Sequence, residues 1–181
     1  TTVFNLLTNV YQPTRGSVIL DGYDTKGKTS ARVNKMGIAR TFQNIRLFRN
    51  MSVLDNVKIG MHNSVKENFF QSITHGFGYG KAEKISDERA LELLGFFNME
   101  NLAYNKAGSL PYGAQRRLEI ARALATNPGI ILLDEPAAGM NPSETSELME
   151  NIRRIRDNFH IAVMLIEHDM NLVMNVCEGI C

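Results

Sequence analysis

The stretch Ile130-Ile131-Leu132-Leu133-Asp134-Glu135-Pro136 limits the fold of this chain more than any other. Four consecutive large aliphatic residues make a stable strand when both faces are covered, the condition of a central strand in a parallel sheet flanked by helices. Open α/β sheets bind their ligands beyond the carboxyl ends of such strands. This strand delivers two acids to that edge, Asp134 and Glu135, and stops at Pro136. An acid there suits Mg²⁺, which takes few protein oxygens and completes its octahedron with water and substrate phosphates. The second acid can polarise a water for attack on a phosphoryl group. Both residues also fit solvated turn acids, and the stretch by itself supports either reading.

A chain of 181 residues can hold one sizeable core with a small subdomain. Its net charge of +1, without an acidic or basic run, supplies no electrostatic footprint for nucleic acid or an anionic membrane. No apolar run approaches a bilayer span, and the first residues lack the charged-then-apolar order of a signal peptide; the expectation is a soluble, intracellular chain. Cys177 and Cys181 could meet on a helix, but two core cysteines in a reducing compartment account for them more simply.

In chain order, Val3, Leu6 and Leu7 have helical spacing with nothing before them to begin the helix, so the chain is expected to start within an element. After a turn over Tyr11 to Gly16, Ser17 to Leu20 reads as a short strand closed by Asp21-Gly22, a hairpin signal. A short helix is expected over Ala31 to Lys35 and a strand over Gly37 to Phe42. Gln43 follows that strand as Asp134 follows the later one; it fits a loop residue or an amide oxygen offered to the same metal. Ser52 and Asp55 form a capping box for a helix carrying Val53, Leu54, Val57 and Met61. Between His62 and Ile85, Phe69, Phe70 and Phe77 alternate with glycines, which suits a docking surface or packing beneath a loop. Ser86-Asp87-Glu88 is expected to cap a helix with Ala90, Leu93, Leu94 and Phe97 on one face.

Gly108 to Arg117 is a glycine loop turning into a long helix, and free N–H groups at such a start can hold a phosphate, although most loops of this kind are only turns. Asn127-Pro128-Gly129 ends that helix and leads into the buried strand. Asn141 as cap and Pro142 at the first position open a helix whose Leu148, Ile152, Ile155 and Phe159 share a face. Ile161 to Ile166 reads as a second buried strand, ending in Glu167-His168-Asp169, before a helix with Met170, Val173, Met174 and Cys177 on one side. His168 by itself fits a surface or cap residue. Its arrival with Gln43, Asp134 and Glu135 at one sheet edge favours a shared site.

These motifs, in this order, resemble the nucleotide-binding domains of ABC ATPases over nearly the whole chain. The resemblance implies an α/β fold of the P-loop NTPase type: a mostly parallel sheet flanked by helices, with a small helical subdomain and an antiparallel β portion. The core is expected over about 1–50 and 111–181, the subdomain over about 51–110. Ile130 to Glu135 resembles the Walker B strand, with Asp134 on the metal side and Glu135 as the base orienting the attacking water. Gln43 is similar to the Q-loop glutamine, touching Mg²⁺ and facing the membrane subunits, and His168 to the switch histidine bonded to the terminal phosphate. Ala138-Gly139-Met140-Asn141 falls where the D-loop lies between facing subunits. Thr1-Thr2 matches the end of the family's Gly-Lys-Thr-Thr, which adds Thr1 and Thr2 to the ATP site and Thr1, with Gln43 and Asp134, to the metal. The glycine cradle and its lysine are then expected upstream, and further strands beyond the last helix.

The signature Leu-Ser-Gly-Gly-Gln falls on Leu110-Pro111-Tyr112-Gly113-Ala114, followed by Gln115. Pro111 replaces the serine that would meet the partner's γ-phosphate, leaving Gly113, the helix amides and Ser109 for that work. Within the family, Tyr112 to Arg122 and Asp134 to Pro142 look most like the subunits energising branched-chain amino acid uptake, in agreement with Arg40 to Asn44 and Leu47-Phe48. The implied protein binds ATP and Mg²⁺, pairs with a second copy or a paralogue, and drives permease subunits and, through them, a solute-binding protein, at the cytoplasmic face of the membrane. A DNA-maintenance ATPase of the same superfamily would carry a long heptad insertion or a basic groove, and the sequence has neither. A third reading is a non-catalytic module, because a chain without the cradle and lysine loses most of its phosphate donors.

Overall fold

The structure, a computed structural model, describes residues 1–61 and 79–180. They group into two compact units, Thr1–Gln43 with Pro128–Cys181, and Asn44–Asn127. The boundaries read from the sequence differ: the segments 44–50 and 111–127, assigned there to the core, group with the second unit.

The first unit is built on a parallel sheet in the order β3-β4-β5, from β3 (Ile38–Arg40), β4 (Ile130–Asp134) and β5 (Ala162–Ile166). As expected, the aliphatic run is the middle strand, with Ile131, Leu132 and Leu133 wholly buried. Alternation along β4 sends Ile130 and Leu132 to one face. There they pack with Phe4 of α1 (Thr2–Leu7), Val33 of α2 (Ser30–Lys35) and Ile38. The helix expected from Val3, Leu6 and Leu7 forms and Leu7 packs on this cluster, but Phe4 is the buried residue and Val3 is 57% exposed. A six-residue helix presents a narrow stripe to the sheet, and the aromatic ring fills it.

Strand β3 is shorter than the expected Gly37 to Phe42; Thr41 N–H still reaches Leu132 O at 3.0 Å before the chain leaves the ladder. The expected hairpin forms as antiparallel β1 (Ile19–Leu20) and β2 (Tyr23–Asp24), with Asp21 and Gly22 both at positive φ, 48° and 81°. In contrast to expectation, β5 is not a second buried strand: Ala162 is exposed and Val163 to Ile166 are half-buried. Among the described strands it is an edge, and it borders an apolar groove of about 750 Å³ lined in part by Val3, Ile152, Met164 and Val173.

Helix α6 (Pro142–Phe159) starts where the cap predicts: Asn141 Oδ1 accepts Glu144 N–H at 2.9 Å and the Glu144 carboxylate accepts Asn141 N–H at 3.1 Å. Leu148, Ile152 and Ile155 are buried, while Phe159, in the last turn, is not. In α7 (Met170–Val176) the expected face fails: Met170 and Met174 are exposed and Leu172 is buried. This short helix is held to α6 by its polar rim, with Arg153 donating to Asn175 O and Arg156 pairing with Glu178 at 2.5 Å.

The second unit contains α3, helical over 53–61, α4 (Tyr79–Phe96), two 3₁₀ turns (Glu100–Leu102 and Ala107–Ser109) and α5 (Tyr112–Leu124). Ser52 Oγ caps α3 by accepting Asp55 N–H at 3.0 Å, and it donates back to the Asp55 carboxylate at 2.6 Å. Ser86-Asp87-Glu88 does not begin a helix, because α4 already runs from Tyr79; Asp87 instead meets Lys58 of α3 at 2.5 Å. Ala90, Leu93, Leu94 and Phe97 are buried as their spacing requires. At Gly60 a Cβ would lie 2.3 Å from Arg122 O, so α3 lies tightly against α5. The phenylalanines at 69, 70 and 77, and Cys181, lie outside the described residues. No helix among the described residues is long and apolar enough to cross a membrane.

Candidate functional site

The ladder of β4 with β5 puts Asp134 opposite Ile166, so the residues that follow each strand emerge side by side. Asp134 is 1% exposed and its carboxylate is paired on both oxygens. Arg40 Nη2 lies 2.9 Å from Oδ2, and Thr1 Oγ1 donates to Oδ1 at 3.1 Å. Arg40 is itself held: Nη1 donates to Asn5 Oδ1 at 2.7 Å, and its guanidinium lies 5.0 Å from the Phe42 ring centre and 5.6 Å from that of Phe4. The buried carboxylate thus has a cation and a hydrogen-bond donor together, one on each oxygen.

Glu135 is one residue further and conformationally different. Its φ is 47°, in the left-handed region, although a side chain and the proline that follows both disfavour it. Such a residue costs on the order of 1–3 kcal/mol and persists where its surroundings over-determine it. Here Glu135 N–H donates to Ile166 O at 2.9 Å, Ala138 N–H to Glu135 O at 3.2 Å, and Ala137 N–H to Glu167 Oε1 at 2.9 Å. The outcome is a carboxylate turned to meet two other segments. Gln43 Nε2 donates to its Oε2 at 2.8 Å, and His168 Nε2 lies 2.9 Å from its Oε1. His168 is 81% exposed, so this end of the site is open to a ligand.

Of the residues singled out from sequence, Gln43, Glu135 and His168 therefore form one hydrogen-bonded chain, beside an Asp134 that carries Thr1. Thr2 is exposed on α1. Ala138 to Asn141 form the turn into α6, with Gly139 at φ 78° and Met140 N–H on Ala137 O at 3.1 Å. Leu110 to Gln115 belong to the second unit. Leu110 is buried, Pro111 occupies the N-cap of α5 without a side-chain cap bond, and Tyr112, Gly113, Ala114 and Gln115 make its first turn. Gln115 Nε2 donates to Leu110 O at 2.8 Å, and Ser109 Oγ to Lys106 O at 2.8 Å. With no cap from residue 111, the first amides of α5 are unclaimed by a side-chain acceptor there.

Sequence reasoning overlooked Arg40, Asn5 and Glu167. Arg40 lies 94 residues from the acid that it neutralises, and no linear pattern reports that distance. Glu167 stood beside His168 in plain view; its signal was an acid at a parallel strand end facing the free amides of the next turn.

The Thr1 hydroxyl against the buried Asp134 carboxylate fits Mg²⁺, which retains waters and phosphate oxygens. Among the described residues no three His, Cys, Asp or Glu side chains gather into an all-protein metal cage.

The model of the ABC transporter family matches residues 1–138. This chain belongs to that family. Over 180 residues the ABC chain is 43% identical to the high-affinity branched-chain amino acid transport ATP-binding protein BraF of Pseudomonas aeruginosa, covering 99% of this chain and 71% of that protein. LivG of Escherichia coli K12, described in the same terms, is 42% identical over the same shares. Among solved structures, a nucleotide-free ATP-binding cassette from an ABC transporter superposes with a TM-score of 0.79 at 29% identity, over 98% of this chain and 69% of that one. A dimeric cassette in a post-hydrolysis state, bound to ADP and Pi, superposes with a TM-score of 0.73 at 27% identity, over 94% and 70%.

Proposed function

We propose that this ABC chain is the ATP-binding and ATP-hydrolysing subunit of an importer for branched-chain amino acids. The observation that carries the reading is the chain Gln43–Glu135–His168 at the sheet edge, next to a buried Asp134 bearing the Thr1 hydroxyl. Glu135 is the group that accepts a proton from, and orients, the attacking water. Gln43 and His168 hold its carboxylate from two sides, and His168 donates to the terminal phosphate, a role that the 81% exposure of its imidazole supports. Thr1, Gln43 and Asp134 would hold Mg²⁺, which when bound neutralises phosphate charge.

The solute class follows the names of the relatives BraF and LivG. In the assembly, a second cassette faces this one, each presenting Leu110 to Gln115 and the Ala138 to Asn141 turn to the other's nucleotide, a reading that the dimeric structural neighbour supports. The segment from Ser52 to Phe97, with Gln43 near the contact, carries the motion to permease subunits, which hold the chain at the cytoplasmic face of the membrane and receive solute from a binding protein.

In the full-length protein, Glu135→Gln is expected to keep MgATP binding while phosphate release falls by about a hundredfold or more. Unchanged hydrolysis would remove Glu135 from the role of base. In vesicles with the permease, uptake of leucine, isoleucine or valine should require that hydrolysis; hydrolysis without such uptake would sink the solute assignment.

A further inference from the structure

Within the second unit, Arg116 and Glu119 are buried more completely than charged residues of a helix usually are, at 0% and 1% exposure. Arg116 Nη1 lies 2.9 Å from Glu119 Oε2, and Nη2 donates to the Tyr112 hydroxyl at 3.2 Å. The second Glu119 oxygen is used elsewhere: Oε1 accepts the backbone N–H of Arg46 at 3.1 Å. One helical turn on, Arg122 donates to the backbone carbonyl of the same Arg46, and its guanidinium lies 5.7 Å from the ring centre of Phe48. From α3, the buried amide of Asn56 takes both backbone groups of Phe48, accepting its N–H at 2.9 Å and donating to its carbonyl at 3.1 Å.

A buried ion pair is a poor source of stability, because well-packed apolar residues of similar volume do as well or better. Burial lowers the Arg122 pKa, with Glu119 opposing the shift, so that cation too is held against a desolvation cost. What these charges accomplish is geometric. They grip the backbone N–H and C=O of one residue, Arg46, three residues after Gln43, from one face of the helix that begins at Tyr112.

We propose that Glu119 and Arg122 are positioning residues that lock the Arg46 backbone to α5, so that the segment following Gln43 and the Tyr112 end of α5 move as one piece during turnover. Arg116 pairs with Glu119 and ties the same carboxylate to Tyr112. The inference rests on the ATPase reading above for its kinetic consequence and on the hydrogen bonds for its geometry.

The test uses the full-length protein assembled with its permease. Arg116→Met/Glu119→Leu keeps an apolar packed pair and removes the acceptor for the Arg46 amide; Arg116→Met/Glu119→Gln removes the same cation and retains an acceptor oxygen. In the first variant, permease-stimulated kcat should fall about tenfold, the scale of one lost buried hydrogen bond, with KM for MgATP unchanged. Arg116→Met/Glu119→Gln should restore most of the rate. Hydrogen exchange at the Arg46 amide should be protected in the parent and faster by about tenfold or more in the first variant. Parent-like kcat in the first variant, when folded, would overturn the positioning role, and equal Arg46 exchange in that variant and the parent would overturn the lock. Absence of hydrolysis in the parent would instead defeat the ATPase reading, and the exchange measurement would still decide the lock.

Discussion

The end of β4 is flanked by two regions, a closed one around Asp134 and an open one around Glu135, separated by a single peptide bond. Around the buried Asp134, Arg40 and Thr1 converge on the carboxylate, Asn5 holds Arg40 in turn, and strand register keeps the acid where Arg40 and Thr1 can reach it. Around Glu135 the chain departs from strand geometry at φ 47°, and the carboxylate swings to Gln43 and an exposed His168. A regular backbone suffices for an acid that must stay fixed. The less buried acid is placed by a strained turn, stabilised by bonds to Ile166 and Glu167.

If that division is sound, substitutions on the two sides should differ in kind. Arg40→Met leaves Asp134 buried and uncompensated, and should destabilise the full-length protein by about 3–5 kcal/mol in urea denaturation. A loss confined to activity would make the closed side part of the reacting group. His168→Ala should do the opposite: turnover down on the order of a hundredfold, with unfolding stability within about 0.5 kcal/mol of the parent. A large loss of stability there would erase the contrast. Asn141→Ala removes the cap that ends the Glu135 turn, at an expected ~1 kcal/mol by thermal unfolding. A disproportionate loss of turnover would show that α6 also aims Glu135.

The smallest effect is a control on an ordinary pair in the other unit. The hydrogen bond to Asp87 raises the Lys58 pKa above its usual 10.5, opposed by burial. A group raised on folding contributes fully below the unfolded value and loses that contribution as pH rises through the folded one. Lys58→Met should therefore be slightly less stable than the parent at pH 8, a difference that disappears at pH well above 10.5, as followed by urea denaturation. A difference persisting there would assign Lys58 a packing role through its stem.

Much of the scaffold was readable because its signals are local. The aliphatic run of β4, the Asp21-Gly22 hairpin and the Asn141–Glu144 box each depend on neighbours a few residues apart. Reading failed where an element's exposure depends on what lies beside it. Strand β5 has nearly the composition of β4 but is an edge among the described strands, and Met170 and Met174 share a face that nothing among the described residues covers. At the site, the residues at strand ends could be listed from the sequence, whereas Arg40 as the partner of Asp134 and the Arg46 peptide as the cargo of Glu119 could not.

Periodicity and turn chemistry alone determined that this chain forms a parallel α/β sheet with two acids at its edge, since both act through backbone preferences that each residue carries with it. Which acid is sealed and which is reachable was decided by tertiary structure. Register between β4 and β5, the positive φ of Glu135 and the reach of Arg40 across 94 residues are set by packing between segments that share no linear pattern.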